Sequence, residues 1–320
     1  MKAAVARRYG SPDVLRICEV PKPKARRGEI LVRVRAAAVG RTDAGYLRAH
    51  PFLIRVFSGL FRPRRSILGM DFAGEVESAG RGASAFKPGD RVFGLCPSRS
   101  NGAQAEYVSV PEAAAAEIPV NVKFDEAAIC EGAFYANGTL TGLGLKSGQS
   151  IMIYGASGAI GTAAVQLAKV LGAEVTAVVA TPHLELVRAL GADRVVDYTA
   201  GDFTRIGERF DFVLDAVGKT TYFRCRRLLK PGGVFAATDM GPGGSTLLMM
   251  LWTSITRSRR VVIPLPGRIG AFPRFLAGLM AAGKFRAVID RKYPLDRIAD
   301  AYRYVETGQK TGIVVIDVAT

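Results

Sequence analysis

Cysteine is scarce in this chain of 320 residues: Cys18, Cys96, Cys130 and Cys225 are scattered, and no two form a C-x-x-C pair. A disulfide framework and a four-cysteine zinc knot are therefore not indicated, and reduced, intracellular thiols are the simplest reading. Histidine is scarcer still, with His50 and His183 alone, so nitrogen ligands for a metal are few. No apolar run is long enough to cross a bilayer, and Met1–Val5 leads straight into charged and polar residues without a basic-plus-apolar leader. The expectation is a cytoplasmic protein with no transmembrane segment. Acids are also in short supply: 28 Asp and Glu against 44 Lys and Arg leave a net charge of +16. The bases gather in small clusters, such as Lys22, Lys24, Arg26 and Arg27, or Arg257, Arg259 and Arg260, and no nucleic-acid module accompanies them. Such a field attracts anions in general, including a phosphorylated cofactor, an acidic membrane or RNA, while solvated surface arginines are the plainer explanation. Charge alone does not choose.

What is present points to a soluble globular chain. Hydrophobic residues make up 49% and charged residues 22%, and the length suits two domains. The most informative stretch is IMIYGASGAIG, Ile151 to Gly161. An apolar strand, Ile151 to Tyr154, enters a glycine-spaced turn that opens a helix-period segment, Ala159 to Leu171. Gly155 allows the tight turn, Gly158 lets the backbone approach a pyrophosphate, and Gly161 permits close helix packing. The amides of the helix start and its positive dipole end suit phosphate. The spacing is G-x-x-G-x-x-G, so the turn residues Gly155, Ala156, Ser157, Gly158, Ala159, Ile160 and Gly161 gain their meaning from the strand–turn–helix context. Further strands are expected at Glu174–Val179, Arg194–Asp197, Phe210–Asp215 and Val234–Ala237, the last after a Pro231-Gly232-Gly233 turn. Helices are expected between them at Leu184–Leu190 and Thr221–Leu229. Alternating strands and helices with short turns describe a doubly wound parallel sheet.

Residues 1 to about 120 have another texture. Short β-like runs (Ile30–Val34, Gly74–Val76, Arg91–Phe93, Glu106–Val110) alternate with turns such as Lys87-Pro88-Gly89-Asp90. A compact, mostly β domain is expected there. Beyond the nucleotide domain, an amphipathic helix at Phe272–Gly283, the segment Tyr302–Gly308 and a last strand at Gly312–Val318 suit a chain that returns to its first domain.

Taken in order, MKAAV with Gly10-Ser11-Pro12, GEILVRVRAAAVGRTD (Gly28–Asp43), GMDFAGEVESAG (Gly69–Gly80), KPGDRVFG (Lys87–Gly94), the nucleotide turn, LGAD (Leu190–Asp193), VDY (Val196–Tyr198), LKPGG (Leu229–Gly233), GKFRAVIDRKYPL (Gly283–Leu295) and AYRYVETGQKTGIVVI (Ala301–Ile316) span nearly the whole chain. This series resembles the medium-chain dehydrogenase/reductase superfamily, and within it the zinc-independent quinone oxidoreductase-like branch. The resemblance implies an α/β fold with two parts: a GroES-like β-rich catalytic domain made of residues 1–122 and 269–320, and a doubly wound Rossmann nucleotide-binding domain over 123–268. It also implies a substrate cleft between the domains, and a homodimer is the expected assembly.

The departures from the family matter as much. Zinc-dependent members place a catalytic cysteine where this chain has Gly40, and G-H-E where it has Gly69-Met70-Asp71. The four-cysteine lobe is missing as well, and neither histidine lies in a matching motif. Zinc is therefore not expected, and without a Lewis acid to hold an alkoxide, alcohol oxidation gives way to metal-free hydride chemistry. In a conjugated enone or quinone the carbonyl draws electrons from the β-carbon. Hydride from a dihydronicotinamide adds there, and hydrogen-bond donors stabilise the charge that develops on oxygen.

NADPH is the expected cofactor, because no acid follows the second nucleotide-domain strand at Val179-Ala180-Thr181-Pro182-His183 to hold a ribose diol. Thr181 and His183 take the places where the related branch offers hydroxyl and basic side chains. Tyr198 sits where the family packs a tyrosine near the adenosine phosphate, or else belongs to the core. Asp215–Lys219, through Ala216, Val217 and Gly218, and Thr238–Gly241, through Met240, follow strands at the ligand edge of the sheet and would line the nicotinamide ribose. Ordinary turns are the competing reading. Tyr135 replaces the threonine of a G-L-T-A-like segment and is a candidate cofactor contact or substrate donor. Tyr46 is a candidate phenol for the cleft. Asp43 and Asp71 are candidates for a proton relay, or for structural bonds to the backbone.

Leu247–Trp252 followed by Thr256-Arg257-Ser258-Arg259-Arg260 suggests an apolar face beside bases: a peripheral membrane contact, a lid over the substrate pocket, or a dimer contact. Three functions compete. One is a zinc-independent, NADPH-dependent reductase of a small-molecule quinone, enone or 2-alkenal. The second is an enoyl-thioester reductase whose basic mouth suits coenzyme A phosphates. The third is a non-catalytic NADPH-binding protein with affinity for RNA or membrane.

Overall fold

The computed structural model describes the chain apart from residues 53, 98–101, 241, 256–260, 265–266 and 319–320. Those exceptions include Gly241 and the basic run from Thr256 to Arg260, so the expectations placed on them lie outside the described residues. The chain divides into two units, Met1–Glu131 with Arg268–Thr320, and Gly132–Gly267. The first boundary falls in the opening turn of the helix Cys130–Leu143.

In the first unit the β-forming runs become β1 (Lys2–Val5), β2 (Arg16–Glu19), β3 (Glu29–Val39), β4 (Asp71–Ala79), β5 (Arg91–Leu95), β6 (Tyr107–Pro111) and β7 (Ala115–Glu117). Strand β3 runs five residues past the expected Ile30–Val34. Its alanines have low strand propensity, but Ala36–Ala37 pair with β4 and Ala36–Val39 pair with the last strand of the chain. Pairing on both edges overrides local preference.

The second unit contains β8 (Ser150–Tyr154), β9 (Glu174–Val179), β10 (Arg194–Asp197), β11 (Phe210–Asp215), β12 (Leu229–Ala237) and β13 (Val261–Val262). They form a sheet of order β10-β9-β8-β11-β12-β13 in which every pairing is parallel. All of β8 and most of β9 are buried, as continuous apolar runs in a doubly covered sheet should be. The strand order reverses between β8 and β11, the switch point where doubly wound folds leave a crevice for ligands. One expectation is corrected here. Pro231-Gly232-Gly233 is no turn ahead of a strand, but lies within β12 as an irregularity. Phe210 pairs with Leu229 and Phe212 already with Val234, so the residues between bulge out, with Gly232 at φ +80°.

The chain then makes the helix Phe272–Ala281, β14 (Ile289–Pro294), the helix Ile298–Glu306 and β15 (Ile313–Asp317). The sheet of the first unit reads β14-β15-β3-β4-β5-β7, with β6 also on β3, so the last strand is stitched into the N-terminal sheet. The core of this unit packs Ile30, Val32, Phe72 and Val92 against Ile298, Tyr302, Val314 and Ile316, from both ends of the chain. The second unit packs Met152, Val178, Val213 and Phe235 around its central strands.

Candidate functional site

In the second unit, β8 ends in the glycine turn at the switch point. Gly155 has φ +76°, and a Cβ there would stand 2.6 Å from Val217 Cγ1. Gly161 is tighter: its Cβ would lie 2.2 Å from Gly155 O and 2.7 Å from Ala156 Cα, so the helix Ala159–Val170 starts pressed against the turn. Around Gly158, by contrast, the nearest atom to a Cβ is 3.6 Å away, which leaves its backbone approachable. Thr162 N–H donates back to Gly158 O at 2.8 Å. The amides of Ala159, Ile160 and Gly161 precede it, at the positive end of the helix. Together these features form an anion cradle made of backbone.

Two further segments complete it. Gly132 would place a Cβ 2.9 Å from Ala159 O, so the opening of the helix Cys130–Leu143 lies against the cradle. Tyr135 is one turn along that helix, half-buried, with its ring edge-on to Phe134 at 6.1 Å. The loop after β11 is shaped by Asp215, which is fully buried. One carboxylate oxygen accepts the amides of Val217 (3.0 Å) and Gly218 (2.8 Å), and the other accepts Thr220 N–H (2.8 Å). Burial raises the Asp215 pKa, and these amides oppose the rise. The loop thus carries the Val217 side chain over Gly155, and Ala216 N–H bonds Tyr154 O. Gly218, at φ +67°, abuts the Asp239 carboxylate, which brings the loops after β11 and β12 together. Met240 is half-buried and accepts Thr246 N–H through its carbonyl.

At the ends of β9 and β10 the structure adds what the sequence order hid. Thr181 Oγ1 donates to Asp197 at 2.6 Å, and Thr199 donates to the same carboxylate from both its amide and its hydroxyl. These bonds, Thr181 first, pull the Asp197 pKa down to about 2. An acid is therefore present beside Thr181 after all, contributed by the next strand. His183, half-buried, closes a turn by donating its amide to Ala180 O. Tyr198 is no core residue: its side chain is partly exposed, its amide bonds Val179 O, and its ring stands 5.9 Å from that of Tyr154.

The first unit gathers a second group of residues. Asp43, in the first turn of the helix Arg41–Arg48, accepts Gly40 N–H at 2.9 Å on one oxygen and Gly69 N–H at 3.1 Å on the other. Asp71 accepts Glu131 N–H at 2.6 Å. Glu131 was not expected here. A Cβ on Gly40 would fall 2.3 Å from its carboxylate oxygen, so Glu131 occupies the space that a side chain at position 40 would need. All three acids are buried. Burial first, then the neighbouring Glu131, pushes Asp43 up to about 8 and raises Asp71; burial likewise raises Glu131, while Thr42 and Lys310 oppose the rise. Lys310 is brought down to about 8 by burial, and its ammonium donates to Gly312 O at 2.6 Å. Cys96 and Cys130, buried beside the acids, are held as thiols. Tyr46 sits one turn beyond Asp43 on the same helix and is half-buried. Asp43 and Tyr46 thus belong to one unit and Tyr135 to the other.

The donor set does not fit zinc. Gly40 offers no ligand and its side-chain space is filled by Glu131, and among the described residues no group of three or more His, Cys, Asp and Glu is arranged to hold a metal ion. The cradle does fit a dinucleotide: its backbone amides and open Gly158 suit a pyrophosphate.

Comparison with known proteins finds matches in both units. Residues 26–120 match the alcohol dehydrogenase GroES-like domain, and residues 190–316 match a family described as zinc-binding dehydrogenase. A 2-methylene-furan-3-one reductase of Solanum lycopersicum is 34% identical, covering 99% of this chain and 79% of its own. A chloroplastic NADPH-dependent alkenal/one oxidoreductase of Arabidopsis thaliana is 32% identical over the same shares. Among solved structures, the quinone oxidoreductase from Coxiella burnetii superposes with a TM-score of 0.86 at 26% identity, covering 100% of this chain and 99% of that one.

Proposed function

This chain belongs to the medium-chain dehydrogenase/reductase superfamily, in its quinone oxidoreductase-like branch, and from that premise we propose that it is a zinc-independent, NADPH-dependent reductase of a quinone, enone or 2-alkenal. The observation that carries the reading is the backbone cradle at the switch point, in a chain whose relatives bear the names of enone, alkenal and quinone reductases.

When bound, the nicotinamide supplies a hydride to the electron-poor β-carbon of the conjugated carbonyl. The chain's own residues do the rest. The Ala159–Gly161 amides would hold the phosphates, and the Asp215 carboxylate fixes the Ala216–Gly218 loop that would line the ribose. Either Tyr46 or Tyr135 is the donor we assign to the oxygen on which charge develops. Asp43 acts through the backbone at Gly40 and Gly69, which both of its oxygens hold. No step needs a metal, in keeping with the filled space at Gly40.

Asp197 supports a second reading of cofactor choice. A carboxylate beside Thr181 suits a ribose diol and repels a 2′-phosphate, so NADH competes with NADPH for this site. The working form in this reading is a cytoplasmic homodimer. The apolar helix Ser245–Ile255, beside the short strand β13, supports the dimer, and equilibrium sedimentation checks it. The function is tested by NADPH and NADH consumption against quinones, enones, 2-alkenals and an enoyl-CoA. Turnover of a free enone or quinone supports the proposal. Turnover restricted to the thioester favours an enoyl-thioester reductase, and cofactor binding without any turnover a non-catalytic binder.

A further inference from the structure

The positive charge is unevenly distributed. Residues 44–70 hold five arginines and no acid, and residues 240–289 hold six arginines, one lysine and no acid. These stretches carry +12 of the net +16, and the remaining 243 residues only +4. A general excess of solvated arginine would not segregate in this way.

The first stretch combines charge with exposed apolar surface. Phe52, Val56, Leu60 and Phe61 are among the exposed large hydrophobic side chains, with Phe61 at 89% exposure. The exposure is built into the backbone. Arg64 N–H bonds Ser58 O at 2.7 Å and closes a turn over residues 58–64. The Tyr9 phenol donates to Gly59 O at 2.7 Å and anchors the base of that turn. Gly59, at φ +124°, allows the reversal, since a Cβ there would meet Arg62 O at 2.1 Å. Leu60 and Phe61 are carried on this closed turn, with exposed Arg62 and Arg64 beside them.

We propose that Phe52 and residues 54–64 form a contact segment for an anionic lipid surface. Aliphatic and aromatic side chains set beside guanidinium groups match the boundary between acyl chains and anionic headgroups. RNA fits less well, because bases stacked on Phe52 and Phe61 would still leave the exposed aliphatic Val56 and Leu60 in water. A second copy also fits less well, because a two-fold contact would lay an arginine-bearing segment with no acid of its own on itself. This surface is independent of the reductase reading.

The test uses the full chain in co-sedimentation with phosphatidylcholine vesicles and with mixed phosphatidylcholine–phosphatidylglycerol vesicles across a salt series. Binding to the anionic vesicles alone, declining as salt rises, is expected. Leu60→Ser with Phe61→Ser, and separately Arg62→Ser with Arg64→Ser, should each weaken it by about tenfold while enone turnover persists. No sedimentation with anionic vesicles, undiminished binding by both variants, or retention on polyuridylate without vesicle binding would each overturn the proposal. So would a raised KM for the enone with unchanged vesicle binding, which would make the segment a substrate cover. Should a variant unfold by circular dichroism, the lipid and salt dependence of the native chain still decides.

Discussion

The two candidate centres are built in opposite ways. The nucleotide cradle is made of backbone: seven consecutive residues turn tightly, and the glycines matter for the side chains they lack. The carboxyl centre is made of buried carboxylates from positions 43, 71 and 131 with the half-buried Lys310, far apart along the chain and brought together by β3, β4, the helix Cys130–Leu143 and the approach to β15. The backbone site tolerates no added atoms at Gly155 or Gly161, and none of its seven residues carries a titrating side chain. A side-chain site tolerates paired changes and titrates.

The sharpest way to break this contrast is to add atoms to each centre. Gly161→Val drives a side chain into the Gly155 carbonyl, and a cost of about 2–3 kcal/mol is expected, with cofactor binding weakened at least tenfold. Urea unfolding and nicotinamide fluorescence titration measure the two effects, and no second substitution should repair them. Asp215→Ala strips three amides of their acceptor, and a loss of about 2–3 kcal/mol is expected.

At the carboxyl centre, Gly40→Ala should cost about 1–2 kcal/mol, because its methyl group meets the Glu131 carboxylate. There the loss is repairable. Adding Glu131→Ala should make the double variant more stable than the two separate losses add up to, and a double-mutant cycle in urea reads the coupling.

The carboxyl centre should also reveal itself by pH. The folded-state pKa of Asp43 is raised to about 8 from its ordinary value of 3.8, by burial and by Glu131, against the amides of Gly40 and Gly69 and Arg65. Between these values the folded chain holds a proton that the unfolded chain has released, so the stability that Asp43 contributes falls as pH rises toward 8. Lys310 acts in the other direction, but only above about pH 8, where the unfolded chain holds the extra proton. Asp43→Asn should flatten the decline measured between pH 6 and 8.

The smallest effect concerns cofactor choice. Asp197→Asn removes a charge beside Thr181 and should move the NADPH-to-NADH ratio of kcat/KM several-fold toward NADPH. An unmoved ratio would take Asp197 out of cofactor recognition.

The contrast also explains what was legible in the sequence. Gly155, Gly158 and Gly161 are read directly because a strand–turn–helix is local, and spacing encodes it. The parallel order of the second unit follows from the same local units. Glu131 and Lys310 carry no local signal, since their meaning arises only when β4, β15 and the helix starts converge on Gly40. Asp197 is hidden for a related reason: the fingerprint places an acid after β9, and this one arrives from β10, through sheet pairing. The extension of β3 through its alanines likewise depends on partners distant in sequence.

The most direct measurement of the central claim is enone turnover by protein stripped of metal, with NADPH and NADH compared, in the presence and absence of a zinc chelator. The expected result is full activity in the metal-free protein, unchanged by chelator or by added zinc. Activity that vanishes on stripping and returns with zinc would contradict it, and would mean that the space Glu131 fills beside Gly40 is not where the chemistry is decided.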